Sequence, residues 1–168
     1  GVTLAAELEP LDGPVEAGRR DVLVLQYPSA VAGFASGGVW RFDTGDRRTR
    51  WFPLQLGRRG LEWTGVDATS FDLVSRDEPF GTVFLEAVFQ DEARSPEVGE
   101  RWRTAAFEVE ARAVGGGGAT AIRVRCAAPL DELVFLTWRD GRLARIAPPA
   151  PGQTLHLARV EPLIPFLP

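Results

Sequence analysis

Few side chains in this sequence could carry covalent chemistry, and they are far apart. His156 is the single histidine and Cys126 the single cysteine among 168 residues. A Ser-His-Asp or Cys-His arrangement has to use one of them. His156 lies in the alternating stretch Thr154–Val160 on the face of Thr154 and Ala158, and none of the five serines lies in a G-x-S-x-G turn. It reads as a partly exposed strand histidine. Cys126 falls on the apolar side of its strand while Arg125 points the other way. A reactive thiolate needs a cationic neighbour, whereas a buried thiol is simply a small hydrophobe. One Cys and one His cannot build a zinc site. Asp67, Asp72, Asp77, Glu78, Asp91 and Glu92 offer oxygens to calcium, but no D-x-D-x-D-G pattern arranges them. They read as solvated loop acids, and neither metal nor cofactor is expected. Phosphate loops, dinucleotide fingerprints and kinase motifs do not occur.

Two constellations are more suggestive. Glu86 sits in the middle of Thr82–Gln90 with Phe84 and Val88 on its own face. If that face is buried, Glu86 is a buried acid whose proton affinity shifts unless an arginine pairs with it. A carboxylate-dependent hydrolase acting on a glycan needs a second acid on a facing strand. The other constellation is Trp40 and Trp51 interleaved with Arg41, Arg47, Arg48 and Arg50. Surfaces of arginine and aromatic rings bind acidic protein patches, glycans and single-stranded nucleic acid. The net charge of −4 and a pI near 5.1 argue against nucleic acid.

Charge is also divided along the chain. Residues 40–60 hold six Arg and two Asp, a balance of +4, while residues 61–100 hold ten acids and two Arg, a balance of −8. Such separation suits a protein partner or self-association steered by electrostatics.

The elements that must position these groups are strands. Phe107–Val114 and Ala119–Cys126 flank Gly115–Gly118. Four glycines accept any turn geometry, so the chain folds back there. Pairing Val114 with Ala119 sets Ala111 against Ile122, Val109 against Val124 and Phe107 against Cys126. Glu110 then faces Arg123 and Glu108 faces Arg125. One face is apolar and the other is made of opposite charges, which is what fixes register in a half-buried sheet. Asp140-Gly141 predicts a type I′ turn that sets Trp138 beside Leu143 and Phe135 beside Ile146. Asp21–Tyr27 is a continuous β-favouring run and reads as a central strand buried on both sides. Val39–Phe42 and Arg48–Phe52 read as a hairpin that brings Trp40 opposite Trp51. Val2–Leu8, Leu61–Gly65, Phe71–Ser75, Thr82–Gln90, Trp102–Val114 and Thr154–Val160 complete the strands. Pro162–Pro168 is an apolar, proline-broken tail that should dock on an apolar surface.

The segment Leu8–Tyr27 resembles the opening of a bacterial membrane-anchored family named for a G-D-Y-x-x-L-x-Y motif. Asp21, Leu25 and Tyr27 match the motif, and Arg20 and Val22 replace its Gly and first Tyr. The resemblance covers about an eighth of the chain, stops at Tyr27, and transfers no functional residue. It implies an exported or anchored, extracytoplasmic setting.

About ten to twelve short strands at regular spacing, with little or no helix, predict an all-β fold. The expectation is one antiparallel β-sandwich over residues 1–168, the alternative being a partly closed barrel. No segment reaches membrane-spanning length. The function expected is a non-catalytic binding or assembly module, the soluble part of an exported or anchored bacterial protein. Its recognition surface would be the Arg/Trp hairpin. The alternative is a β-sandwich hydrolase working through Glu86, or a glycan-binding protein.

Overall fold

A computed structural model of the chain describes residues 3–5, 8–10, 21–28, 50–54, 58–80 and 95–161. These residues form twelve strands. In chain order they are β1 (Thr3–Ala5), β2 (Leu8–Pro10), β3 (Asp21–Val24), β4 (Arg50–Pro53), β5 (Leu61–Gly65) and β6 (Ser70–Ser75). Then follow β7 (Arg101–Arg103), β8 (Phe107–Gly115), β9 (Gly118–Cys126), β10 (Val134–Arg139), β11 (Arg142–Ile146) and β12 (Thr154–Leu157). A single 3-10 turn, Leu130–Glu132, is the one helical element among the described residues. One sheet runs β1-β12-β5-β6-β9-β8-β7 and the other β2-β11-β10-β3-β4. Both are open, so the fold is a β-sandwich and not a closed barrel.

Two of the three predicted hairpins form in the predicted register, and the third, Val39–Phe42 with Arg48–Phe52, lies in part outside the described residues. In β8–β9, Phe107 faces Cys126, Val109 faces Val124, Ala111 faces Ile122 and Val114 faces Ala119. The ladder skips Arg112 on one strand and Thr120 on the other, and the two irregularities cancel. Gly116 and Gly117 form the tip with φ of 61° and 88°, angles that side chains with a Cβ resist. In β10–β11, Trp138 faces Leu143 and Phe135 faces Ile146 across Asp140 and Gly141, which also have positive φ.

Three expectations change. Val2–Leu8 is not one strand: Thr3–Ala5 pairs with β12 in the seven-stranded sheet and Leu8–Pro10 with β11 in the five-stranded one. The predicted strand Trp102–Val114 is two strands folded back on each other. The Thr104 hydroxyl accepts the backbone N–H groups of Ala106 and Phe107 at 3.2 and 3.1 Å, and a local hydroxyl acceptor of this kind turns the chain. The sheets are also mixed rather than wholly antiparallel. Three of the ten described pairings are parallel: β1 with β12, β3 with β10, and β3 with β4. The central strand is where this shows. Leu23 and Leu25 enter the core between the sheets, while Val22 and Val24 join a second buried cluster with Tyr27, Val134 and Leu136. A strand with parallel neighbours is covered on both faces, which is why it is written as a continuous apolar run.

Between the sheets, Trp63 lies with its ring centroid 5.7 Å from Phe71 and 4.9 Å from Phe135, and Phe71 lies 5.6 Å from Phe135. Each ring contributes roughly 1.5–3 kcal/mol by burial, plus about 0.5–1.5 kcal/mol for edge-to-face pairing. At one end of the sandwich the sheets are tied by a polar group. The buried Gln26, just past β3, donates its amide to the carbonyls of Arg59 at 2.6 Å and Ala158 at 3.0 Å. Its amide oxygen accepts the hydroxyl of buried Thr137 at 2.7 Å. Arg139 donates to the same Ala158 carbonyl at 2.9 Å.

Replacing Gln26 by Leu keeps the volume but leaves the Thr137 hydroxyl and the Arg59 carbonyl without this partner. Each such loss costs about 1–3 kcal/mol, so Gln26→Leu should lower stability by about 2–4 kcal/mol in urea unfolding. Gln26→Leu with Thr137→Val should recover part of that loss. A single variant within about 0.5 kcal/mol of wild type would show that the amide is not needed.

Candidate functional site

The register across the seven-stranded sheet brings charged residues into rows. Arg101 faces Glu110, Glu110 faces Arg123, and Arg123 faces Asp72. Beyond Asp72 the row continues through Thr64 to Thr154. In the next row Arg103 faces Glu108, which faces Arg125. The residues between them, Trp102, Val109, Val124 and Phe71, point into the core. Basic β7, acidic β8, basic β9 and the Asp72 position of β6 therefore alternate in sign on the outer face.

Glu110 is the centre of this ladder. Arg125 Nη1 donates to its Oε2 at 2.8 Å and Arg112 Nη1 donates to its Oε1 at 3.0 Å. Arg101 Nη2 lies 3.3 Å from Oε2. Glu108 Oε2 accepts from Arg103 Nε at 2.7 Å, and its Oε1 lies 3.6 Å from Arg125 and 3.8 Å from Arg101. Arg123 donates through Nε and Nη2 to the two oxygens of Asp72 at 2.7 and 2.9 Å. The predicted register of Glu110 against Arg123 thus holds, but the predicted bond is diagonal. The fork of Arg123 matches the carboxylate of Asp72 on its other side, and such bidentate pairs are strong. Glu110 turns to Arg125, within reach of a long side chain on the same face.

Hydrogen bonds from Arg125 and then Arg112 hold the Glu110 carboxyl down at about 2, outweighing the opposing effect of its desolvation. It is an ionised anchor and holds no proton to donate near neutral pH. Burial pushes the Cys126 thiol up to about 12, so this sulfur is a core group. His156 is exposed on β12, opposite Glu62 of β5. Among the described residues, no three His, Cys, Asp or Glu gather where they could hold a metal ion.

Of the predicted recognition residues, Arg50 and Trp51 are described. Arg50 gives Nε and Nη2 to the two carboxylate oxygens of Asp21, both at 2.7 Å, directly across β3–β4. Its guanidinium also lies 5.6 Å from the Phe52 ring centroid. Trp51 is half-buried against the second apolar cluster. Both side chains are therefore engaged within the molecule. Trp40, Arg41, Arg47, Arg48 and Glu86 lie outside the described residues, as do the Thr82–Gln90 strand and the Pro162–Pro168 tail. The opposite charges of the 40–60 and 61–100 segments meet in part: Arg59 Nη2 lies 3.7 Å from Glu78 Oε2.

The β7 side of the ladder was not anticipated. Its signal is present in the sequence, since Arg-Trp-Arg at 101–103 mirrors Glu-Val-Glu at 108–110 across a Thr-containing turn. In comparisons with known proteins, no family model, no curated protein and no solved structure matches the chain.

Folded Glu110 binds its proton less tightly than the unfolded chain does, whose value is 4.5. Between about 4.5 and about 2 the unfolded state therefore holds more protons, and the stabilisation is complete above that window and lost as pH falls through it. Glu110→Gln should cost about 1–3 kcal/mol at neutral pH by removing charge-assisted bonds. It should also flatten the decline of the urea midpoint between pH 4.5 and 2. An equally steep decline in the variant would assign the acid sensitivity elsewhere. Cys126 should resist thiol reagents in the native protein and react once the protein is unfolded in denaturant. Rapid native labelling would contradict its burial.

Proposed function

We propose that this protein is a non-catalytic binding or assembly module, and that the outer face from β7 to β9 receives a protein partner or a second copy. One observation carries this reading. On the β7–β8 side of the ladder the carboxylates lie underneath and the guanidinium groups lie on top. The Glu110 and Glu108 side chains are 8% and 14% exposed, while Arg101 and Arg103 are 56% and 80% exposed. An approaching molecule meets donors whose geometry is already set by the acids below. Arginine is favoured at interfaces for this combination of charge and planar donor geometry. The hydrolase alternative draws on Glu86, outside the described residues. The described buried carboxylate, Glu110, has the depressed proton affinity of an ion-pair anchor, the opposite of what a general acid requires.

The test is retention of partners from the native extract, together with sedimentation, for wild type and for Arg101→Ser/Arg103→Ser. A complex or oligomer should form at about 50 mM salt, weaken by about 500 mM, and be lost in the variant. The variant should melt close to wild type, because exposed pairs of this kind contribute about 0–1 kcal/mol. A monomer at every salt concentration, retaining the same proteins with and without the two arginines, would overturn the proposal.

A further inference from the structure

Among the described residues, donors and acceptors on this face do not balance. Five guanidinium groups (Arg101, Arg103, Arg112, Arg123 and Arg125) meet three carboxylates (Asp72, Glu108 and Glu110). Every carboxylate oxygen has a guanidinium nitrogen within 3.6 Å. Each guanidinium has five N–H donors in a planar fork. Among the described residues each acid of this ladder holds at least one arginine hydrogen bond, whereas Arg101 comes no closer than 3.3 Å to either of its acids and Arg103 bonds Glu108 through Nε alone.

The surplus has a direction and a period. Arginine exposure rises from 23% at Arg123 on β9 to 80% at Arg103 on β7, the end strand of the sheet among the described strands. Arg101 and Arg103 flank the inward-pointing Trp102, so their side chains leave the same face about 7 Å apart along the strand. Moving inward from β7 the outer face reads basic, acidic, basic, acidic, and the sequence of signs calls for acidic groups beyond β7.

We propose that the occupant of this face is an extended acidic segment of a partner protein, with carboxylates on alternate residues, lying along β7 over Arg101 and Arg103. This rests on the binding-module reading above. An extended chain repeats its side-chain direction every second residue, at the same period of about 7 Å. Two of its carboxylates can each take a fork without displacing Glu108 or Glu110. Nucleic acid fits less well. Single-strand binding draws on aromatic rings that stack bases, and the exposed large apolar side chains among the described residues are Val74, Val98 and Val114. The chain as a whole also carries −4, which repels a long uniform polyanion while leaving a local match intact.

The experiment is fluorescence anisotropy at low salt with a labelled peptide of about ten residues alternating Glu and Thr. A peptide of the same composition with its glutamates grouped at one end, a single-stranded oligonucleotide and a sulfated polysaccharide are the competing probes. Wild type should bind the alternating peptide at least about fivefold tighter than the grouped one, because only the former matches the period. Arg101→Ser/Arg103→Ser should lose about tenfold or more in affinity. Arg101→Lys/Arg103→Lys keeps the charge without the fork and should fall between, which guards against a folding defect in the serine variant. Equal binding of the two peptides, or tighter binding of the oligonucleotide or polysaccharide, would overturn the inference. If the native extract yields a partner that depends on Arg101 and Arg103 while the alternating peptide does not bind, the module reading stands and the acidic segment falls. If neither binds, both fall.

Discussion

The amide of Gln26 is the contact on which closure of the sandwich depends. One side chain from the end of β3 reaches the carbonyl of Arg59, which leads into β5, and the carbonyl of Ala158, which follows β12. The strands β5 and β12 belong to the other sheet, so the two layers are joined here by hydrogen bonds and not only by apolar contact. A buried amide costs free energy unless its donors and acceptor are used, and Gln26 has partners for both. Apolar residues tolerate sliding, whereas a group that must meet three partners fixes one arrangement of the layers.

With the layers fixed, the outer face of the larger sheet becomes a rigid frame for charge. β8 carries the buried Glu110 and the partly buried Glu108, β9 carries Arg125 that bonds Glu110, and Trp102 anchors β7 to the core from beneath. The arrangement works in two levels. Glu110, at the level of the backbone, gives up exposure and holds its charge to low pH. Guanidinium groups above it gain orientation and keep their solvent-facing donors. Any one of these exposed pairs is a weak contributor to stability. Their value in this fold is positional.

Much of this was legible in the sequence. The tetraglycine and Asp-Gly turns fixed two hairpins because turn chemistry and apolar alternation agreed residue by residue, from Phe107 opposite Cys126 to Trp138 opposite Leu143. The central strand was legible because burial on both faces removes alternation. The direction of its neighbours was not, since parallel pairing of β3 with β10 and β4 is decided by contacts more than a hundred residues apart in one case and nearly thirty in the other. The break at Thr104 escaped because a hydroxyl that caps a turn looks, in sequence, like any β-favouring threonine. The diagonal bond from Arg125 to Glu110 escaped for a related reason: register names the residue opposite, while long side chains choose among several neighbours. For the candidate site, the arginine-and-aromatic logic pointed to Trp40, Arg41, Arg47, Arg48, Arg50 and Trp51; of these Arg50 pairs with Asp21, Trp51 packs on the second apolar cluster, and the other four lie outside the described residues.

The pairing of β1 with β12 has a mechanical consequence. These strands lie side by side and run the same way, with Thr3, Leu4 and Ala5 in register with Thr154, Leu155 and His156. Tension applied at the two ends of the chain would pull them in opposite directions along their common axis. The load would fall in shear on the whole ladder at once, where an antiparallel pair joined by a turn would unzip one bond at a time. Before it reached β12, force from the C-terminal side would meet the anchorage of residues 158–160, where Gln26 and Arg139 hold the Ala158 carbonyl and Val160 N–H bonds to Arg58 at 2.8 Å. The domain is therefore built to resist extension along that axis more than peeling from a free edge.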